Sequence, residues 1–178
     1  MKWIAQILVL AFVVALTAGF VQAQNNTEIK HGIAYALYDK AANETTLEVR
    51  RLEVINTADR WIFVNASTQF AGQTLPKRPA DVTFIIQVGS PGGYKYPDQI
   101  KLKLKFDGKD QTELSMRTLD RRMAGTMYLE TIGVRMNIDL FAKLSKARSV
   151  EMQLDTTSFT IGTTYLQKLA DLDRLMTP

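Results

Sequence analysis

After Gln24 the chain is patterned with period two, the repeat of strands that turn alternate side chains toward a core. Ile100, Leu102, Leu104 and Phe106 alternate with Lys101, Lys103 and Lys105, the clearest half-buried strand in the chain. Asp107-Gly108 then supplies a hairpin turn into a partner strand over 111–116. Ile33 to Tyr38 is apolar on both parities, which predicts a central strand with both faces covered. Over 45–55, Leu47 and Val49 share one parity and Leu52 and Val54 the other. A β-bulge at Arg50-Arg51, where the parity changes, restores a single buried face. Further strands are predicted from Trp61 toward Phe70, over 81–88, over 126–135 and at Val150, Met152 and Leu154, with Phe159 and Ile161 as a short hairpin partner.

Breaks between strands are marked by their chemistry. Gly72 to Pro79 carries two prolines, and Gly89-Ser90-Pro91-Gly92-Gly93 is expected to end the strand before it and open a loop to Pro97. The polar stretch 117–124 reads as a connection. Helical spacing occurs twice. Asn137 is placed to cap a helix with Leu140, Phe141 and Leu144 on one stripe, and Tyr165, Leu166, Leu169, Leu172 and Met176 recur behind Thr164 and Gln167, a capping-box pair. The predicted fold is α+β and predominantly β: an antiparallel sheet or sandwich with a short helix and a C-terminal amphipathic helix.

The start of the chain follows a different grammar. Met1-Lys2 is followed by an apolar run from Ile4 to Phe20, broken only by Gln6 and Thr17, and Val21-Gln22-Ala23 ends on a small residue. This predicts an export signal over 1–23, cut before Gln24, with 24–178 forming one β-rich domain in the periplasm or outside the cell. The rival reading is an uncleaved anchor, the one route by which membrane contact is expected. With no cysteine, neither disulfides nor a thiolate metal site is available, so the domain rests on its core.

Composition narrows the chemistry further. A formal charge of +4 is too small for a nucleic-acid-binding signature. His31 is the only histidine, so a zinc or copper site would have to be built mostly from carboxylates, and no cofactor is expected. No Gly-x-Ser-x-Gly elbow is present, and the loop around Ser90 lacks the Gly-Lys-Ser/Thr ending of a phosphate-binding loop. Asp107, Asp110 and Glu113 do not match a calcium loop. Of the acids left for proton transfer, Glu130 stands out inside an apolar run, and strand alternation predicts that it faces outward.

The strongest electrostatic feature is the row Lys101, Lys103 and Lys105 on one sheet face, preceded by Tyr94-Lys95-Tyr96. Ammonium groups beside tyrosine rings suit an anionic glycan or an envelope protein partner, and these six residues are the expected binding surface. The plain alternative is a solvated strand whose lysines guard a sheet edge. Phe141 and Leu144 before Val150, then Phe159-Thr160-Ile161-Gly162 leading into Leu166, Leu169 and Leu172, resemble small exported bacterial β-rich domains of unassigned function. The resemblance covers about a third of the chain and implies a bacterial envelope setting and a strand-to-helix ending, but transfers no site residue. The expected function is therefore non-catalytic binding. The alternatives are a small hydrolase using two convergent carboxylates, or a structural or chaperone-like component that pairs through a sheet edge.

Overall fold

The computed structural model describes residues 32–178, so the predicted export signal and His31 lie outside the described residues. In chain order the elements are β1 (Ala34–Asp39), β2 (Glu44–Thr57), β3 (Arg60–Ala71), β4 (Asp81–Pro91), β5 (Gln99–Phe106), β6 (Asp110–Ala124), β7 (Met127–Asn137), α1 (Ile138–Lys146), β8 (Val150–Leu154), β9 (Thr157–Ile161) and α2 (Thr163–Leu175). The nine described strands form one antiparallel sheet in the order β1-β2-β3-β4-β7-β6-β5-β8-β9, the continuous-sheet form of the predicted α+β fold.

The sheet is strongly curled. β9, at one end of the order, packs near β2 at the other, and Arg60 Nη1 reaches Thr157 Oγ1 at 2.9 Å across the gap. The concave face carries the core: Ile62, Phe84, Ile86, Leu102, Leu104 and Ile132 are fully buried on it. Phe141 and Leu144 of α1 and Leu166, Leu169 and Leu172 of α2 join the same core. Burying each such side chain contributes about 1.5–3 kcal/mol.

Several local predictions hold for the reasons given. The β2–β3 register shifts between Val49 and Leu52, and Arg51 sits there at φ +54°, so the bulge at Arg50-Arg51 brings Leu52 to the buried face of Leu47 and Val49, whereas a second shift between Glu53 and Ile55 sets Ile55, and not Val54, opposite Ile62. Asp107 (φ +50°) and Gly108 (φ +75°) form the β5–β6 hairpin turn. Asn137 caps α1 by accepting from the Asp139 N–H at 2.8 Å, a contact worth about 1 kcal/mol.

Four expectations are corrected. β1 is an edge strand, with α2 packed against its concave face and that of β2, while Tyr35 and Leu37 lie on the convex face. β4 does not end at Val88 but continues through Gly89, Ser90 and Pro91, paired with Leu129, Tyr128 and Met127, and Gly92 (φ +76°) begins the turn. Residues 117–124 continue β6 past a register shift between Thr118 and Asp120, so a bulge rather than a connection accounts for the changed pattern. α2 starts at Thr163 without a side-chain cap, because Gly162 and not Thr164 holds the N-cap position, and Gln167 Nε2 turns forward to Asp171 Oδ1. This helix is clamped from outside: Arg78, on the β3–β4 connection, donates to Asp173 Oδ1 at 2.5 Å and to Thr177 Oγ1 at 3.0 Å.

Candidate functional site

Sheet order divides the predicted binding surface. β4 is followed in the sheet by β7 and β6 before β5 is reached, so the segment after Pro91 must cross the ends of two strands. Tyr94, 42% exposed, packs edge-on against Tyr128 with ring centroids 5.1 Å apart. Tyr128 shares its sheet face with Glu130 and the buried Ile132. Lys95 is exposed, whereas Tyr96 is buried and donates its hydroxyl to Thr157 Oγ1 at 3.0 Å. Burial pushes that hydroxyl above its usual range, and the Thr157 hydrogen bond opposes the shift. The Tyr96 ring is thus a core group and not a stacking surface.

Lys101, Lys103 and Lys105 project from the opposite, convex face. β5 lies between β6 and β8, so the lysines guard no sheet edge. Lys101 pairs with Glu113 at 2.9 Å and Lys105 with Glu151 at 3.3 Å. The hydrogen bond from Lys101 and its charge hold the Glu113 carboxyl below the usual range. Among the described residues Lys103 has no salt bridge, so the ridge offers much less free charge than three ammonium groups suggest.

Glu130 faces inward, contrary to the alternation argument, with a fully buried side chain. The apolar run in β7 occupies both parities, and the even one, with Ile132 and Met136, points to the core. The carboxylate accepts from Lys95 N at 2.7 Å and Tyr96 N at 3.3 Å, and Arg121 Nε lies at 3.4 Å. The same guanidinium donates to Asp98 Oδ1 at 2.6 Å and to the Tyr96 carbonyl, with its carbon 5.6 Å from the Tyr94 ring centre. Glu130 therefore pins the crossing segment. Both its oxygens accept hydrogen bonds, and Asp98 engages the same Arg121 guanidinium through Oδ1, so the group ties the crossing segment to β6 and β7.

A second buried carboxylate, Glu48, lies on the convex face and accepts from the Tyr35 hydroxyl and from Arg50 Nε, each at 2.6 Å. Burial, followed by the Glu48 hydrogen bond and charge, pushes the Tyr35 hydroxyl up to about 12. Because the folded value lies above the unfolded one, this stabilisation is present below pH ~10 and is lost as pH rises through about 12. Difference absorbance titration against Tyr35→Phe is expected to show one phenol ionising near 12, returning toward ~10 in Glu48→Gln. An unshifted phenol in the native chain would remove the pairing.

Beside Glu48 the convex face carries an aromatic groove, about 410 Å³ in volume and lined by Arg51, Glu53, Trp61, Phe63, Gln87 and Arg122 among others. Its floor is set by register. Trp61 pairs with Gly89, and a Cβ added at Gly89 would lie 2.1 Å from the indole, so the ring rests directly on bare backbone. Phe63 follows on the same face, with its ring centroid 4.7 Å from that of Trp61. Arg51 closes one wall, its guanidinium carbon 4.8 Å from the Phe63 centroid.

The bulge aims Arg51. Its left-handed conformation costs a non-glycine residue about 1–2 kcal/mol, and it is held by the Asn65 side chain, which accepts from Arg51 N at 2.8 Å. Asn65 Nδ2 in turn donates to Gln87 Oε1 at 3.2 Å. Sequence reasoning identified the bulge but not this site, because the meeting of Arg51, Trp61 and Arg122 depends on which strands neighbour one another. The one local sign was Gly89 itself, a strand glycine that marks close approach.

Elsewhere, a broad depression beside the end of α1 is lined by Lys109, Lys143, Lys146 and Arg148. Lys143 is engaged by Asp110 at 2.9 Å and lies 4.8 Å from the Phe106 centroid, and its hydrogen bond holds the Asp110 carboxyl below the usual range. Among the described residues there is no group of three or more His, Cys, Asp or Glu side chains placed to hold a metal ion, and no helix long and apolar enough to cross a membrane. Comparison with family models, curated proteins and solved structures returns no match for the chain.

Proposed function

We propose that this protein is an exported, non-catalytic binding domain that takes a glycan of the envelope or the extracellular space in the convex groove. The observation that carries the reading is the half-buried Trp61 indole, laid on the sheet by Gly89, backed by the buried Phe63 and bordered by side chains of mixed hydrogen-bonding character. A sugar ring presents an apolar C–H face to such a platform and hydroxyls around its rim. Gln87, Glu53 and the arginines offer both donors and acceptors to those hydroxyls. The groove is open and set on strands, which keeps the platform rigid without a lid.

Lys103 and the paired lysines lie on the same face, three strands from Gln87 and displaced along the strands as well, since Gln87 is level with Thr131 and Asp120 but Lys103 with Glu113, about 25 Å in all at the usual strand spacings. A chain of several sugars leaving the groove would pass over them. Tyr94 and Lys95 belong to the other side and are not used by this reading.

Binding to soluble oligosaccharides drawn from cell-envelope and extracellular polymers tests the proposal by calorimetry. Trp61→Ala is expected to weaken binding at least about tenfold, in line with the usual worth of a buried aromatic anchor. An affinity unchanged by Trp61→Ala would place binding elsewhere.

A further inference from the structure

Resting on that reading, we infer that the groove selects glycans whose sugar rings carry acidic groups, with Arg51 as the specificity-determining residue. The charges around the platform are unequal. Arg51 has no carboxylate within salt-bridge distance among the described residues, and its recorded charge partner is the Phe63 ring. Arg122, on the far wall, has only Asp120 at 3.9 Å, while both side chains are largely exposed. Of the two acidic residues that line the groove, Glu130 turns its carboxylate to the opposite face, toward Lys95 N and Tyr96 N, which leaves Glu53, and that already accepts from Asn56 Nδ2 at 3.0 Å. Arg50, the neighbouring cation, is excluded because Glu48 holds it.

Free guanidinium groups beside an aromatic floor are matched to a ring that bears an anion at its rim. The ring stacks, and the planar donor edge meets two oxygens of one acidic group. A neutral sugar offers that edge only single, uncharged hydroxyl acceptors in place of the paired oxygens of an acid. The backbone at Arg51 strengthens the assignment. A left-handed arginine at a bulge is unfavourable for the fold, and glycine or asparagine would occupy the position with less strain. The position holds a strained residue whose charge is presented to the groove and satisfies no acid of the described protein.

Calorimetric titrations with three oligosaccharides of equal length, one neutral, one bearing carboxylates and one bearing sulfates, test the inference on the full chain. At least one acidic ligand is expected to bind about tenfold or more tightly than the neutral one, with the preference shrinking as salt is raised. Comparing the carboxylate and sulfate arms identifies which acid is read. In Arg51→Gly the ratio of acidic to neutral affinity is expected to fall to about one with thermal stability retained, because glycine accepts the positive φ. Arg51→Asn, also suited to that region, serves as the second variant.

Equal binding of neutral and acidic ligands by the native protein, or an acidic preference that survives in both variants, overturns the inference and leaves the glycan reading intact. Binding of none of the three ligands overturns the glycan reading as well.

Discussion

Glu130→Ala is expected to destabilise the protein by about 3–5 kcal/mol, the range for breaking a buried, hydrogen-bonded ion pair by removing one partner. Three donors lose their acceptor at once: the Lys95 and Tyr96 backbone N–H groups and Arg121 Nε. None can turn to another side chain without moving the segment that crosses β7 and β6. Glu130→Gln retains one acceptor oxygen but brings an NH₂ group among donors, so a smaller loss is expected. Urea unfolding reads the free-energy change, and faster amide exchange at residues 95 and 96 localises it. A loss below about 1 kcal/mol, with amide protection unchanged, would contradict the assignment.

The second large effect concerns binding. Gly89→Ala places a methyl group 2.1 Å from Trp61 Cε2, too close for either group to stay. Gly89 has no positive φ, so the pressure for glycine here comes from the indole above it and not from backbone conformation. The Trp61 ring is expected to lift from the sheet, at about 1–3 kcal/mol for an overpacked contact, and ligand binding to fall as far as in Trp61→Ala. Tryptophan emission should shift to the red as the ring meets water. Gly133→Ala is the control: its methyl would meet Leu119 Cδ1 at 2.5 Å, but Leu119 is a flexible side chain, 45% exposed, and can swing away. Native affinity in Gly89→Ala would show that the flat indole is unnecessary for binding.

Much of the fold was legible because the relevant signals are local. The Ile100 to Phe106 alternation, the Asp107-Gly108 turn, the Asn137 cap and the parity change at Arg50-Arg51 each reside within a few residues, and each is found where the pattern placed it. What was not legible depends on neighbours. Ile33 to Tyr38 has the pattern of a central strand, yet what covers its concave face is a helix from the far end of the sequence. Residues 117–124 look like a connection because the bulge at Thr118/Asp120 changes which side chains face inward. Strand alternation points Glu130 outward, and its inward position rests on three donors from residues 95, 96 and 121, whose approach follows from sheet order. Trp61 carried no signal beyond strand propensity, since its role arises from a glycine 28 positions later in the paired strand.

The curl of the sheet bears on how the chain reaches this state. β1 and β2 are made early, but the helix that covers them, Thr163–Leu175, is the final element. Until those thirteen residues arrive, Leu47, Val49 and Leu52 lack the cover that buries them. Contacts between such distant segments close large loops and form slowly, so the apolar face of the first hairpin stays uncovered until that helix docks. A chain organised in this way folds from its completed whole rather than by adding finished pieces in order, and removing its last turns would cost the first strands their shelter.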